Sequence, residues 1–409
     1  MTKPISKHAH THGLNMGFST QVTKPAEPGE GSPFHRLNST DMIKLFLAGD
    51  VMTGRGIDQI LPYPCEPAIY ENNLRSALDY VALAERAGGI IRRPAGFDYI
   101  WGAALGELSR RKPHVRIVNL ETAATTSGTP EPKGINYRMN PANIPVLAIA
   151  EIDCCVLSNN HVRDWGEAGL IDTLQTLKGA GILTAGAGRN LAEASQPAIV
   201  KVKPHHRVLV FGFGLQSSGI PGHWAAAADH AGVRLLPDLS KEAAEMLASE
   251  VLSQKQPGDI VVLSVHWGSN WGYEVTSSHQ AFAHAVIDLG ACDILHGHSS
   301  HHARPVEIYK GKLILYGCGD FINDYEGISG FEEFRDDLTA MYLPGVDEAN
   351  GRLSSLTIIL FQIQLFSLHH ASLHDVQWFQ SGLNRISRDF GTRFLLNRDA
   401  TVGLEAQGT

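Results

Sequence analysis

Residues 293–307, DILHGHSSHHARPVE, place His296, His298, His301 and His302 within seven positions. Imidazole carries protons near neutral pH and ligates divalent metals through either ring nitrogen. Four histidines do such chemistry only if oxygen donors meet them; otherwise the stretch is a solvated loop. Donors recur elsewhere, each at the end of an apolar run. Asp50 follows LFLAG, Asn119 and Glu121 follow RIV, and SNNHVRD, with Asn160 and His161, follows DCCVL. His266 follows IVVLSV and Asp320 follows LILYGCG. Singly, each has a bland reading: Asp50 as a turn aspartate, Glu121 as a cap, His266 beside Trp267 as a packed core residue. Together they are hard to explain as structure, because burying many polar groups costs free energy unless they are paired or coordinated.

The elements that would position these residues are legible as short apolar runs: IKLFLAGD, VRIVNLE, DCCVLS, RVLVFGFG, DIVVLSVHWG, CDILHGH, KLILYGCGD and LSSLTIILFQIQLF. Amphipathic stretches such as AGLIDTLQTLKGAG and KEAAEMLASEVLSQ lie between several of them. That alternation predicts an α/β protein whose sheets are covered by helices. In such folds ligands gather beyond the carboxyl ends of the strands, so the run-end residues are expected to converge. Runs after residue 300 lie closer together and predict a mixed or antiparallel region. Residues 1–40, which include HAHTH, read as a flexible lead-in, 41–365 as the functional domain with an insertion at about 62–102, and 366–409 as a polar C-terminal extension.

Composition narrows the function classes. With 409 residues and 43 % hydrophobic content the chain can bury a large core. The net charge of −8 and the lack of basic runs argue against a nucleic-acid partner. Five cysteines, an odd number without a CxxC, predict buried reduced thiols. No apolar stretch approaches the ~18 residues of a membrane span, so no membrane partner and a cytoplasmic location are expected.

GDVMTGR, NLET, SNNHVRDWG, VHWG and GHSSHHARPVEIYKGKLILYGCGDF, in that order, resemble motifs of the CapA family of capsule and poly-γ-glutamate synthesis proteins, over roughly residues 43–325. The resemblance implies a calcineurin-like, four-layer α/β/β/α sandwich with a metal centre at one edge. Carried over, Asp50, Glu121, Asn160, His266 and His298 fall on metal positions. His161 falls on the proton-handling histidine, with Asp164 spaced to orient it, and His301 on the second histidine of the family's GHxPH stretch. Two departures are visible: CGDF stands where LGNF is usual, and GDVM lacks the aspartate-x-histidine opening of phosphoesterases. The second leaves a metal position short of a ligand, so one divalent ion is expected. Oxygen donors favour Ca²⁺, with Mn²⁺ or Zn²⁺ the alternatives that His266 and His298 would suit.

Within that family the chain looks like a soluble branch with a lasso-peptide epimerase, which inverts the Cα centre of a precursor peptide's C-terminal tryptophan. Inversion needs a base on one face and an acid on the other. His161 with Asp164 offers one, and Asp320 with His298 or His301 the other. Trp267, Trp271 and Tyr273 would line an apolar pocket for the precursor peptide, and Arg55 or Arg163 would clamp its carboxylate. The alternatives are metal-dependent hydrolysis of a γ-glutamyl or phosphoester bond, and a scaffold for polymer synthesis.

Because ligation needs deprotonated carboxylates and neutral imidazoles, a metal bound here stabilises the folded state and is released as pH falls. Chelation should lower the melting temperature measured by calorimetry; an unchanged Tm would mean that the ion is not integral.

Overall fold

In the computed structural model, which describes residues 42–204, 206–328 and 330–405, the apolar runs become strands of two sheets. The lead-in read at 1–40 lies outside the described residues. Four parallel strands come first: β1 (Met42–Val51), β2 (Val115–Leu120), β3 (Cys154–Val156) and β4 (Leu183–Ala185). The chain then builds a second sheet from β5 (Ala198–Lys203), β6 (His206–Gly214), β7 (Ile260–His266), β8 (Ile294–His298), β9 (Val306–Tyr309) and β10 (Lys312–Leu315). It returns to the first through β11 (Asp320–Ile322), β12 (Leu338–Asp347), β13 (Leu353–Gln364), β14 (Ser367–His370), β15 (Phe394–Leu396) and β16 (Val402–Leu404). The first sheet reads β15-β16-β13-β12-β1-β2-β3-β4, with β11 beside β1 and β14 beside β13; the second reads β9-β10-β8-β7-β6-β5.

The two sheets face each other. Ile43, Leu45, Leu47, Ile117 and Val156 of the first meet Val208, Val210, Val262, Ile294 and Leu313 of the second in one buried cluster. Alternate residues on the same strands, Phe46, Ala48, Val118 and Cys155, point the other way, under helices α1 (Arg55–Ile60), α2 (Leu78–Gly88), α3 (Ala103–Arg111) and α4 (Gly166–Gly179). Leu209, Phe211, Val261 and Leu263 likewise face α5 (Lys241–Leu252) and α6 (Ser277–Asp288). Strands buried on both faces explain why these runs are continuously apolar rather than alternating. The result is the calcineurin-like α/β/β/α sandwich that the resemblance implied. As the spacing after residue 300 suggested, β12 and β13 are antiparallel, as are β9 and β10.

Helix limits follow local chemistry. Ser240 and Thr276 accept hydrogen bonds from Ala243 N and His279 N, capping α5 and α6. Ala244, Leu247, Ala248 and Val251 then recur at the helical period to fill the face of α5 against the sheet. Residues 373–404 contribute α7 (Leu373–Ile386), β15 and β16, and Val376, Phe379 and Leu383 bury into the cluster between the sheets. All five cysteines are buried and free. No helix among the described residues is long and apolar enough to cross a membrane.

At one end of the sandwich the sheets come very close. His296 Nε2 lies 2.9 Å from Ala48 O on β1, while its Nδ1 faces Ser264 Oγ on β7 at 3.0 Å. This histidine ties one sheet to the other. Between β10 and β11 the chain changes sheets through GCG, and an ideal Cβ on Gly49 would lie 1.9 Å from Gly319 O. Gly49→Ala should therefore cost about 3 kcal/mol in urea denaturation, by forcing backbone apart where no side chain can yield. A loss under about 0.5 kcal/mol would mean that the seam is loose.

Candidate metal centre

Strand ends and the loops after them bring the run-end residues to that seam. Asp50 and Asp320 are register partners on β1 and β11, and His266 and His298 are register partners on β7 and β8. One carboxylate oxygen of Asp50 and one ring nitrogen each of His266 and His298 all lie within 4.8 Å of one another. A second group, Asp50, His301 and Asp320, meets the same limit. Asp50 belongs to both.

The surroundings fix these groups in place. Asp50 Oδ1 accepts from Asn119 Nδ2 at 2.7 Å and Oδ2 from Ser299 N at 3.2 Å. Asn119 Nδ2 also reaches Glu121 Oε2 at 3.4 Å. His266 Nδ1 and His298 Nδ1 are 2.8 Å apart, and His266 Nε2 faces Asn160 Oδ1 at 3.0 Å. The adjacent Asn159 is turned inward instead. Its Oδ1 accepts from His161 N and Val162 N, and its Nδ2 donates to Asn119 Oδ1. Asn159 thus shapes the loop, and Asn160 faces the cluster. Glu121 and Asn160 thus stand beside the group formed by Asp50, His266 and His298.

Two histidine–aspartate pairs flank the cluster. His161 Nδ1 lies 2.6 Å from Asp164 Oδ2, and His161 Nε2 lies 3.7 Å from Glu121 Oε1. His301 Nδ1 lies 2.8 Å from Asp320 Oδ1, with its Nε2 2.9 Å from Asn270 Nδ2. Burial pushes the His161 imidazole down to about 4, against the pull of Asp164 and helped by Lys133. For His301 burial acts the same way, but Asp320 and Asp50 outweigh it and raise the pKa. His298, the other histidine considered for partnership with Asp320, instead meets Ser264 and His266.

The donor set fits a divalent cation on electrostatic grounds. Asp50, Glu121 and Asp320 are at most 3 % exposed, and among the described residues no lysine or arginine forms an ion pair with any of them. Burial first, and Asp320 second, push the Asp50 carboxyl up to about 7; burial and then Asp50 push Glu121 well above its usual range. Buried like charges of this kind need a cation to coexist. The second group also bears on the ion count: Asp320, the residue that departs from the LGNF pattern, completes it. Two groups that share Asp50 could thus each hold an ion.

The expected substrate contacts divide between those whose polar groups are already used and those left beside the cluster. The Arg55 guanidinium is saturated by Asp324, Glu71 and the Tyr80 hydroxyl, so it is a brace rather than a free carboxylate clamp. Arg163 donates to the carbonyls of His223 and Ala231. Trp267 is buried with its Nε1 on Tyr316 O, a packing role. Trp271, stacked on Phe331 at 3.9 Å, and Tyr273 do lie beside His301 and His302. Sequence reasoning missed Lys133, whose Nζ donates to Asp164 Oδ1 at 2.7 Å and lies 3.4 Å from His161 Nδ1. It comes from the loop EPKGINY, where only proximity in space reveals it.

A sequence profile described as bacterial capsule synthesis protein PGA_cap matches residues 44–325. The chain is 46 % identical over 361 residues to a probable polyglutamine synthesis accessory protein of Mycobacterium tuberculosis, covering 88 % of this chain and 95 % of that one. It is 24 % identical over 311 residues to the PGA biosynthesis protein CapA of Bacillus subtilis, covering 76 % of this chain and 70 % of that one.

The crowded carboxylates yield a signed prediction for metal-free protein. Asp50 keeps its proton up to about pH 7 when folded but releases it near ~3.9 when unfolded. Its contribution to stability therefore falls as pH rises through that window. Asp50→Asn in chelator should raise Tm at pH 8, by on the order of a few kcal/mol in stability, and the gain should vanish near pH 4. The same variant should lose bound metal by elemental analysis. Lower stability than the unaltered protein at pH 8 in chelator would refute the account.

Proposed function

Since the chain belongs to the bacterial capsule synthesis protein PGA_cap family, we propose that it is a metal-dependent hydrolase acting on γ-glutamyl amide bonds in capsule or poly-γ-glutamate metabolism. The observation that carries this reading is the His161–Asp164 pair set against the buried Asp50, His266 and His298 group. Asp50, His266, His298 and Asn160 would hold one ion, and Asp50, His301 and Asp320 a second. Two imidazoles beside one carboxylate favour Mn²⁺ or Zn²⁺ over Ca²⁺ for the first. When bound, such ions supply positive charge that offsets charge developing on the substrate oxygen and acidify water.

The chain's own residues supply the rest. Asp164 accepts the Nδ1 proton of His161, which leaves Nε2 as the basic nitrogen on the side of Glu121. That nitrogen takes a proton from water and returns it to the departing amine, which cannot leave as an anion. Lys133 holds the other oxygen of Asp164, so the carboxylate cannot rotate away from the ring.

One observation favours a second reading. His301 with Asp320 repeats the histidine–aspartate arrangement, and two proton carriers are what Cα inversion of a peptide residue requires. Incubation of Mn²⁺- or Zn²⁺-loaded protein in D₂O with oligo-γ-glutamate, and separately with a peptide bearing a C-terminal tryptophan, separates the two by mass spectrometry. Hydrolysis gives shorter products; inversion gives one deuterium without cleavage. We expect cleavage of the γ-linked oligomer, reduced about 10²- to 10⁴-fold in His161→Ala. Polymer binding with neither cleavage nor exchange would overturn the enzyme reading in favour of a scaffold.

A further inference from the structure

A cavity of about 490 Å³ opens next to the metal centre, walled by Asn323, Tyr325, Asp336, Asp337, Gln362 and His369. Its volume lies within the range of small-ligand sites. Two of its residues also belong to the wall of the metal centre. Asn323 Nδ2 donates to Asp320 Oδ2 at 2.9 Å, and the Tyr325 ring packs edge-on against His301 at 5.5 Å. A group in the cavity is therefore one residue's thickness from the second ion position.

The polar character of this cavity is one-sided. Among the described residues no lysine or arginine lines it. Asp337 is already matched by Arg335 and Gln362, and Glu326, also in the lining, accepts from the backbone of Leu365 and Phe366. Arg335 also spans to Asp375. Asp336 is different: it is half-buried and forms no ion pair among the described residues. Burial, then the nearby Asp337 and Asp320 carboxylates, push its carboxyl up, with its own backbone N–H opposing. Among the described residues no lysine or arginine pairs with this carboxylate, and the positive group it acts on is the His301 imidazole at the metal centre.

We infer that this cavity is the subsite for a primary ammonium group on the substrate, the free amino end of a short γ-linked peptide, with Asp336 as its anionic partner and the Gln362 side chain beside it. The inference rests on the amide-cleaving reading above and deepens it. An internal stretch of poly-γ-glutamate presents carboxylates and no ammonium group, and would be repelled by this lining. The amino end presents an ammonium group beside its own α-carboxylate, and that ammonium supplies the positive charge the described lining lacks. The site then selects for reaction near the amino terminus rather than at random along the polymer.

The test is a binding titration, which does not require turnover. Mn²⁺-loaded protein is titrated calorimetrically with γ-linked triglutamate carrying a free amino end, and with its N-acetylated counterpart. The free amine should bind about tenfold or more tightly, the scale of one charge-assisted hydrogen bond. Asp336→Asn should remove that preference by weakening the free-amine ligand alone, with metal content and Tm unchanged. Equal affinity for the two ligands on the unaltered protein would overturn the inference, and that comparison stands even if the variant folds poorly. So would a variant that weakens both ligands equally. A retained preference for the free amine with no cleavage would leave the subsite standing and refute the hydrolase reading instead.

Discussion

Three carboxylates, Asp50, Glu121 and Asp320, are buried beside one another with no arginine or lysine ion-paired to them among the described residues. That unfavourable arrangement organises the rest of the structure. Carboxylates so placed either stay protonated or hold a cation, and both options require a rigid surrounding shell. The shell is visible in the amide network of Asn119 and Asn159, in the Ser299 N–H on Asp50, and in Ser264 between His296 and His298. These groups hold the ligand atoms in place at the expense of metal-free stability, a common compromise at functional sites.

Much of the fold is legible in the sequence because each strand carries its own signal. Runs buried on both faces are mostly apolar, and polar residues gather at or just past their carboxyl ends. For that reason Asp50, Glu121, Asn160, His266 and His298 stand out without knowledge of their neighbours. Less legible is anything decided by partners far along the chain. Arg55 reads as an available cation a few residues after a strand; its partner Asp324 is 269 positions away and occupies it. Trp267 reads as a pocket residue, yet its indole N–H is used by a carbonyl 49 positions later. Lys133 lies in an unpatterned loop, and nothing in its local sequence distinguishes it from a solvated lysine. Among the neighbouring histidines, spacing does not separate the structural His296 from His298, because both point inward on the same strand with period two.

The two histidine–aspartate pairs show how one scaffold can host more than one reaction. His161 and His301 are both buried and both held at Nδ1 by a carboxylate, but their settings differ. Lys133 stands against the first, and the carboxylates of Asp50 and Asp320 surround the second. The one site therefore presents one imidazole biased toward neutrality and one biased toward its cation. Which reaction follows depends on what bond the substrate places between them, and hence on the residues lining the approach rather than on the cluster itself.

The crossing from β10 to β11 has a further consequence. Of the ligand atoms, Asp50 and Asp320 belong to the first sheet, and His266 and His298 to the second. His301 follows directly from the second sheet's β8. An ion held by them spans the join between two layers that otherwise touch through apolar side chains and a few polar links, the His296, Ser299–Asp50 and His266–Asn160 contacts. It would act as a rivet. In native-state hydrogen exchange, the loaded protein would then open both sheets as one cooperative unit, whereas removal of the ion would let the amides at this end of β1 and β8 exchange by separate, shallower openings. Loss of metal would be felt first as loss of cooperativity between the layers, before either layer unfolds.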